Sequence, residues 1–186
     1  TLETFQNYKQ NEAWTWEHMA LTRARVAYGS DAFRDEIEVA IADTLAEPRP
    51  EDTLRRDVSE MRERTHTEFA TENIWALRNV RGGLVDVEYI CQYVLLLAGG
   101  ARTEHPPTMV DTIASLSDAG LIDAETAHNL AEAQHFMQTI RGLLALCHGP
   151  NPEENAFSSE LKIMLVEATG ETGFSTLKQR LEETQR

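Results

Sequence analysis

Two cysteines in 186 residues, Cys91 and Cys147, are too few and too widely separated to form a disulfide framework. Both lie in apolar, helix-patterned contexts, which predicts buried free thiols of a cytoplasmic protein. Long hydrophobic runs are also missing. The strongest, Ile90 to Ala98, is far short of the roughly 20 residues of a membrane span. Basic residues are few, 17 against 31 acidic ones, for a net charge of −14. That balance argues against nonspecific binding to nucleic acid, and equally against an anionic membrane surface. Lysine is scarcest: only Lys9, Lys162 and Lys178 occur. No Cys-x-x-Cys pair, phosphate-binding Gly-x-x-x-x-Gly-Lys loop or Gly-x-Ser-x-Gly elbow appears. No signal peptide is visible, and the chain starts at Thr1 without a Met, which reads as a piece of a longer protein.

What is present is a succession of helical patterns. A first helix is expected from about Leu2 to Tyr28, stopping at Gly29, with large aromatics on both faces and hence burial on more than one side. Ser30 is a candidate N-cap for a second, interrupted by Pro48 and Pro50. A third spans roughly 50–70, and Asn73 to Arg81 reads as irregular or a short extended piece. A fourth begins at Gly83 and ends near Ala98. Gly99-Gly100 and His105-Pro106-Pro107 mark a loop. A fifth ends at Gly120, and Asp123 caps a long sixth reaching about His148. The Gly149 to Pro152 break and two short helices, about 156–169 and 174–183, complete the chain. The expectation is a single all-α domain, an irregular bundle of about seven or eight helices over residues 1–186.

Val85-Asp86-Val87-Glu88-Tyr89 alternates apolar and acidic and also fits a strand. On a strand, Asp86 and Glu88 would be paired carboxylates after a Gly-Gly turn, a pattern suited to a divalent metal. Leu84, Val87, Cys91, Val94 and Ala98 fit helical spacing instead, which turns the two acids to different faces and favours a helix. Glu125-x-x-His128 and Glu132-x-x-His135 are two Glu-x-x-His units, which four-helix di-iron proteins place on different helices. Here one helix carries both, about 10 Å apart along its axis, and they read as a polar, solvated stripe. Arg49, Arg55, Arg56, Arg62, Arg64, Arg78 and Arg81 crowd one stretch. Interleaved acids predict helix-surface ion pairs there.

Three ordered blocks carry a family resemblance. They are Ala13-Trp14-Thr15-Trp16-Glu17-His18 continuing to Arg23-Ala24-Arg25, then Val58-Ser59-Glu60-Met61-Arg62, then Gly82-Gly83-Leu84-Val85-Asp86-Val87-Glu88-Tyr89-Ile90-Cys91-Gln92-Tyr93. The chain resembles the helical region that follows a nucleotidyltransferase domain in bacterial glutamine synthetase adenylyltransferase, and its form is more like the C-terminal, adenylylating half. The resemblance implies a parent enzyme that moves AMP from ATP to a tyrosine of glutamine synthetase, while the other half removes it. ATP and Mg²⁺ would be bound mainly by an upstream domain whose Gly-Ser and acid-x-acid motif this chain lacks. The region alone is therefore expected to be inactive. Implied partners are glutamine synthetase, the PII regulatory protein and the upstream nucleotidyltransferase domain, with no nucleic acid and no membrane. Where the family pattern has an acid and a Lys before the glycines, this chain has Ala76-Leu77-Arg78, so the basic charge survives and the acid does not.

Glu17, Arg23, Arg25, Arg62, Arg78, Gly82 and Gly83 are the candidate nucleotide- or domain-facing residues. Glu17 with Arg23 and Arg25 would position phosphates or a neighbouring domain, or else form an internal ion-pair network between helices. The Gly82-Gly83 helix start, preceded by Arg78 and Arg81, would attract an anion through free N–H groups and the helix dipole, unless Asp86 satisfies that dipole itself. No residue of this chain is expected to be catalytic or to bind metal. Two rival readings are a stand-alone helical regulatory module and the helical region of the PII uridylyltransferase.

Overall fold

The computed structural model describes residues 1–100, 108–149 and 152–186. Among the described residues there are nine α-helices and no strand. They are α1 (Leu2–Asn11), α2 (Thr15–Leu21), α3 (Asp31–Ala46), α4 (Glu51–Glu68), α5 (Leu84–Leu97), α6 (Met109–Asp118), α7 (Ala124–Cys147), α8 (Ser159–Thr169) and α9 (Phe174–Thr184). The fold is all-α, as the periodicity predicts. The His105-Pro106-Pro107 loop and the Pro150-Asn151 part of the later break lie outside the described residues.

The expected helix from Leu2 to Tyr28 is two helices, and this split accounts for the ninth. At the break, the Tyr8 carbonyl accepts from both the Glu12 and Ala13 N–H groups, and the ladder stops. The Glu17 carboxylate then turns back to accept the Trp14 N–H at 2.9 Å, capping α2. After Leu21 the chain runs through turns to Ser30, so Arg25 and Tyr28 share no helical face with Trp14 and Glu17. The two tryptophans are not buried, contrary to expectation: Trp14 is 68% exposed and Trp16 53%.

Other boundaries follow local chemistry. Ser30 accepts the Phe33 N–H at 3.4 Å, Asp123 accepts the Thr126 N–H at 2.8 Å, and Ser158 accepts the Leu161 N–H at 3.2 Å. Arg49, expected in a surface ion pair, instead donates to the Thr44, Leu45 and Glu47 carbonyls at 2.8–2.9 Å. It thereby satisfies the orphan acceptors at the end of α3. Arg55–Asp52 (2.9 Å) and Arg81–Glu63 (2.8 Å) are the exposed ion pairs the interleaved charges predict.

Packing divides the chain into two compact units. The first comprises residues 1–62 and 89–122, the second residues 63–88 and 123–186, so α4 and α5 contribute to both. In the first, α1 and α2 pack on α3. Met19, Leu21, Ile41, Leu45, Leu54, Val58 and Leu96 form its core, fringed by Phe5, Tyr89 and Tyr93. In the second, α8 packs between α7 and α9, with Met137, Ile140, Leu165, Leu177 and Leu181 fully buried. Each such aliphatic side chain contributes about 1.5–3 kcal/mol by leaving water. Cys91 is buried as expected; Cys147 is exposed, because it closes α7 on the helix's outer side.

Candidate functional site

Glu17 is the polar hub of the first unit. Its carboxylate accepts from the Tyr8 hydroxyl (3.0 Å to each oxygen), the Lys9 ammonium (3.2 Å) and the Trp14 N–H (2.9 Å). The Trp14 backbone donor, then the Tyr8 and Lys9 side chains, hold its pKa below the ordinary carboxylate range. The same contact with Glu17 raises the Tyr8 hydroxyl above its usual value. Thr15, opening α2, donates to Asp57 of α4 at 2.6 Å. These bonds set the angle of α2 and leave Trp14 and Trp16 outward. Arg23 and Arg25 are exposed on the segment that follows, near Tyr28 (94% exposed) in sequence. Phe33, at the start of α3, is 49% exposed. Arg62, late in α4, is half-buried.

His18, beside Glu17, is half-buried, and its Nε2–H donates to the Lys9 carbonyl at 2.9 Å. Burial, reinforced by Arg49 and Lys9, lowers its pKa below the usual histidine value, against the pull of that carbonyl and of Glu47. The unfolded chain therefore takes up a proton near pH ~6.5 before the folded chain does. His18 costs no stability at higher pH, and a penalty grows as the pH falls below that value. Thermal midpoints measured between about pH 7.5 and 5.5 should fall less steeply for His18→Gln than for the parent chain. Identical slopes would remove His18 as the cause.

Arg78, Gly82 and Gly83 lie in the second unit, in the turn-rich segment before α5. The Gly83 N–H donates to the Val80 carbonyl at 2.9 Å, Leu84 to Leu77 at 2.9 Å and Val85 to Arg78 at 3.1 Å. The Gly82 N–H donates to the Asp86 carboxylate at 2.6 Å. The amides that an anion would need at this helix start are all engaged within the chain, and Asp86 supplies the negative charge there. Asp86 also faces His66 of α4, Oδ1 to Nε2 at 3.4 Å. Glu88 pairs instead with Arg78 at 3.4 Å. The helical register thus sends the two acids to different partners. Among the described residues no group of three or more His, Cys, Asp or Glu is arranged to hold a metal ion.

His128, Glu132 and His135 of α7, read from sequence as a solvated stripe, line a shallow cleft of about 300 Å³ with Arg180 of α9. Arg180 lies over the Phe136 ring (4.3 Å) and donates to Glu171 at 2.9 Å. Sequence reasoning missed a further polar and aromatic cluster in this unit. Trp75, only 3% exposed, stacks on Phe174 (5.5 Å) and meets Phe157 edge-on (5.1 Å). Its indole N–H donates to Glu154 at 3.1 Å, and Lys178 donates to the same oxygen at 2.8 Å. Those donors, Lys178 first, hold Glu154 below the usual carboxylate range. A tryptophan inside an otherwise irregular stretch was the available signal, since such a large ring is rarely left uncovered.

Two family models match. One described as "Glutamate-ammonia ligase adenylyltransferase" covers residues 1–40, and one described as "GlnD PII-uridylyltransferase" covers residues 52–186. Among similar curated proteins, a bifunctional glutamine synthetase adenylyltransferase/adenylyl-removing enzyme from Rhodopseudomonas palustris (strain BisB5) is 34% identical over 99% of this chain and 19% of its own length. The enzyme of that name from Bradyrhizobium diazoefficiens is 33% identical over 100% of this chain and 19% of its own. That from Brucella suis is 36% identical over 91% and 17%. The chain spans about a fifth of the length of these relatives. Among the described residues, no helix is long and apolar enough to cross a membrane. Matched across residues 52–186 by one model, the chain belongs to the GlnD PII-uridylyltransferase family, and along nearly all its length it is similar to bifunctional glutamine synthetase adenylyltransferase/adenylyl-removing enzymes.

Proposed function

We propose that this chain is the helical domain that serves the adenylylating half of a glutamine synthetase adenylyltransferase, and that it does no chemistry alone. One observation carries the reading. Trp14, Trp16, Tyr28 and Phe33, exposed by 68, 53, 94 and 49%, all fall within residues 1–40, the part that matches the adenylyltransferase model. Exposed Arg23 and Arg25 lie in the same segment. Large aromatics and arginines are the residue types that anchor protein interfaces. The proposed occupant is the nucleotidyltransferase domain, with Glu17 bracing α2 from behind. That domain would hold ATP and Mg²⁺ on its own carboxylates. Glutamine synthetase would be the acceptor and PII the regulator.

The match over residues 52–186 supports a second reading, in which the parent transfers UMP to PII. A version of the protein extended N-terminally through a nucleotidyltransferase domain separates the two. With ATP, Mg²⁺ and glutamine synthetase it should transfer AMP, and with UTP and PII it should not. The isolated chain should do neither. In the extended protein, Trp14→Ala with Trp16→Ala should lower kcat/KM for AMP transfer about 10-fold or more, the effect of losing about 1.4 kcal/mol. Transfer by the isolated chain, UMP transfer instead of AMP, or an unaffected double variant would each overturn this reading.

A further inference from the structure

The second unit contains a cleft of about 360 Å³ that none of the roles above uses. Its floor is apolar: Trp75 and Leu77 from the segment before α5, and Leu144 from α7. Among the described residues, its two charged lining residues are both arginines, Arg78 and Arg141, and no acidic residue lines it. In a chain of net charge −14, a cleft walled by two guanidinium groups and no carboxylate departs from the average surface. Neither arginine is fully committed. Arg78 reaches Glu88 at 3.4 Å with its side chain half exposed, and Arg141 reaches only Gln138 at 3.5 Å. The half-buried Asn79 side chain also lines the cleft and has no hydrogen-bond partner among the described residues. Guanidinium groups match the paired oxygens of carboxylates and phosphates, and an amide adds a neutral donor. An apolar floor with a few convergent polar groups is the usual build of a small-molecule site, and the volume is at the small end for one.

We propose that this cleft binds a small organic anion: an oxyanion head, carboxylate or phosphate, carried on an apolar body. The head sits between Arg78 and Arg141, Asn79 donates to it, and the body lies toward Leu144 and Trp75. The assignment is independent of which group the parent enzyme transfers.

The test is an NMR titration of the whole chain at constant ionic strength, with benzoate, phenyl phosphate, inorganic phosphate and neutral benzyl alcohol as probes. Benzoate or phenyl phosphate should give saturable shifts at the Trp75 indole, the Asn79 side-chain amide and the Ala145 backbone amide. The tighter of the two identifies the head group. Inorganic phosphate should bind at least 10-fold more weakly, and benzyl alcohol should not saturate. Arg141→Gln should weaken the aryl anion about 10-fold, the loss of one charge-assisted contact of about 1.4 kcal/mol. Asn79→Ala, which keeps both arginines, should weaken it a few-fold. Arg141 is exposed, so its replacement should leave the ligand-free spectrum of the second unit unchanged. No saturation at millimolar probe, equal affinity for inorganic phosphate, or binding indifferent to Arg141→Gln would overturn the assignment.

Discussion

Asp86→Ala should destabilise the protein by about 2–4 kcal/mol, the cost of breaking a buried polar network from one side. Asp86 is 7% exposed. One oxygen accepts the Gly82 N–H at 2.6 Å, and the other faces His66 Nε2 at 3.4 Å. That nitrogen makes no hydrogen bond among the described residues. Alanine would strand the Gly82 N–H where water enters poorly, and would remove the negative charge from the start of α5 and from beside His66. Asp86→Asn should lose less, since its amide oxygen still accepts from Gly82. Urea unfolding at neutral pH measures both. A loss for Asp86→Ala under about 1 kcal/mol, within the range of an ordinary surface substitution, would show that the network is dispensable.

Asp86 also shows how far this fold could be read from sequence alone. The alternation around it is ambiguous over five residues and unambiguous over fourteen, because apolar spacing continues through α5. Capping residues were equally legible. Ser30 and Asp123 stand where the first hydrogen-bonded turn needs a side-chain acceptor, and that need is local. The break after Asn11 was not legible, because a helix pattern runs straight through it. What ends α1 is the Glu17 carboxylate returning to Trp14 while Tyr8 and Lys9 converge on the same group, a choice made by tertiary contacts. The aromatic face was misread for the same reason. Trp14 and Trp16 look like core, and only the end of α2 at Leu21 reveals that they point outward. The candidate residues were recognisable as types, whereas their grouping was not. Arg78 belongs with Arg141, some sixty residues later, and Trp75 with Phe157 and Phe174. Sequence spacing gives no account of such partners.

Gly82→Ala should cost about 3 kcal/mol or more, and two separable effects combine to give that figure. Gly82 has φ +70°, a left-handed conformation that costs an alanine about 1–2 kcal/mol. In addition, a Cβ at this position would come within 2.6 Å of the Gln185 Cα and 2.5 Å of its carbonyl carbon. Backbone cannot rotate out of the way as a side chain can. Relief would require the end of α9 to lift, breaking the bond from the Gln185 side chain to the Ile74 carbonyl (2.9 Å). Gly170 offers the matching control, since it has the same φ of +70° and no heavy atom within 4 Å of the place an added methyl group would occupy. Gly170→Ala should therefore show the conformational cost alone, about 1–2 kcal/mol. Removing Gln185 and Arg186 should bring Gly82→Ala down to that same level, with the difference appearing as the coupling energy of a double-mutant cycle. Equal losses for Gly82→Ala with and without those two residues would mean that the approach of α9 to this turn is not what the glycine is there to allow.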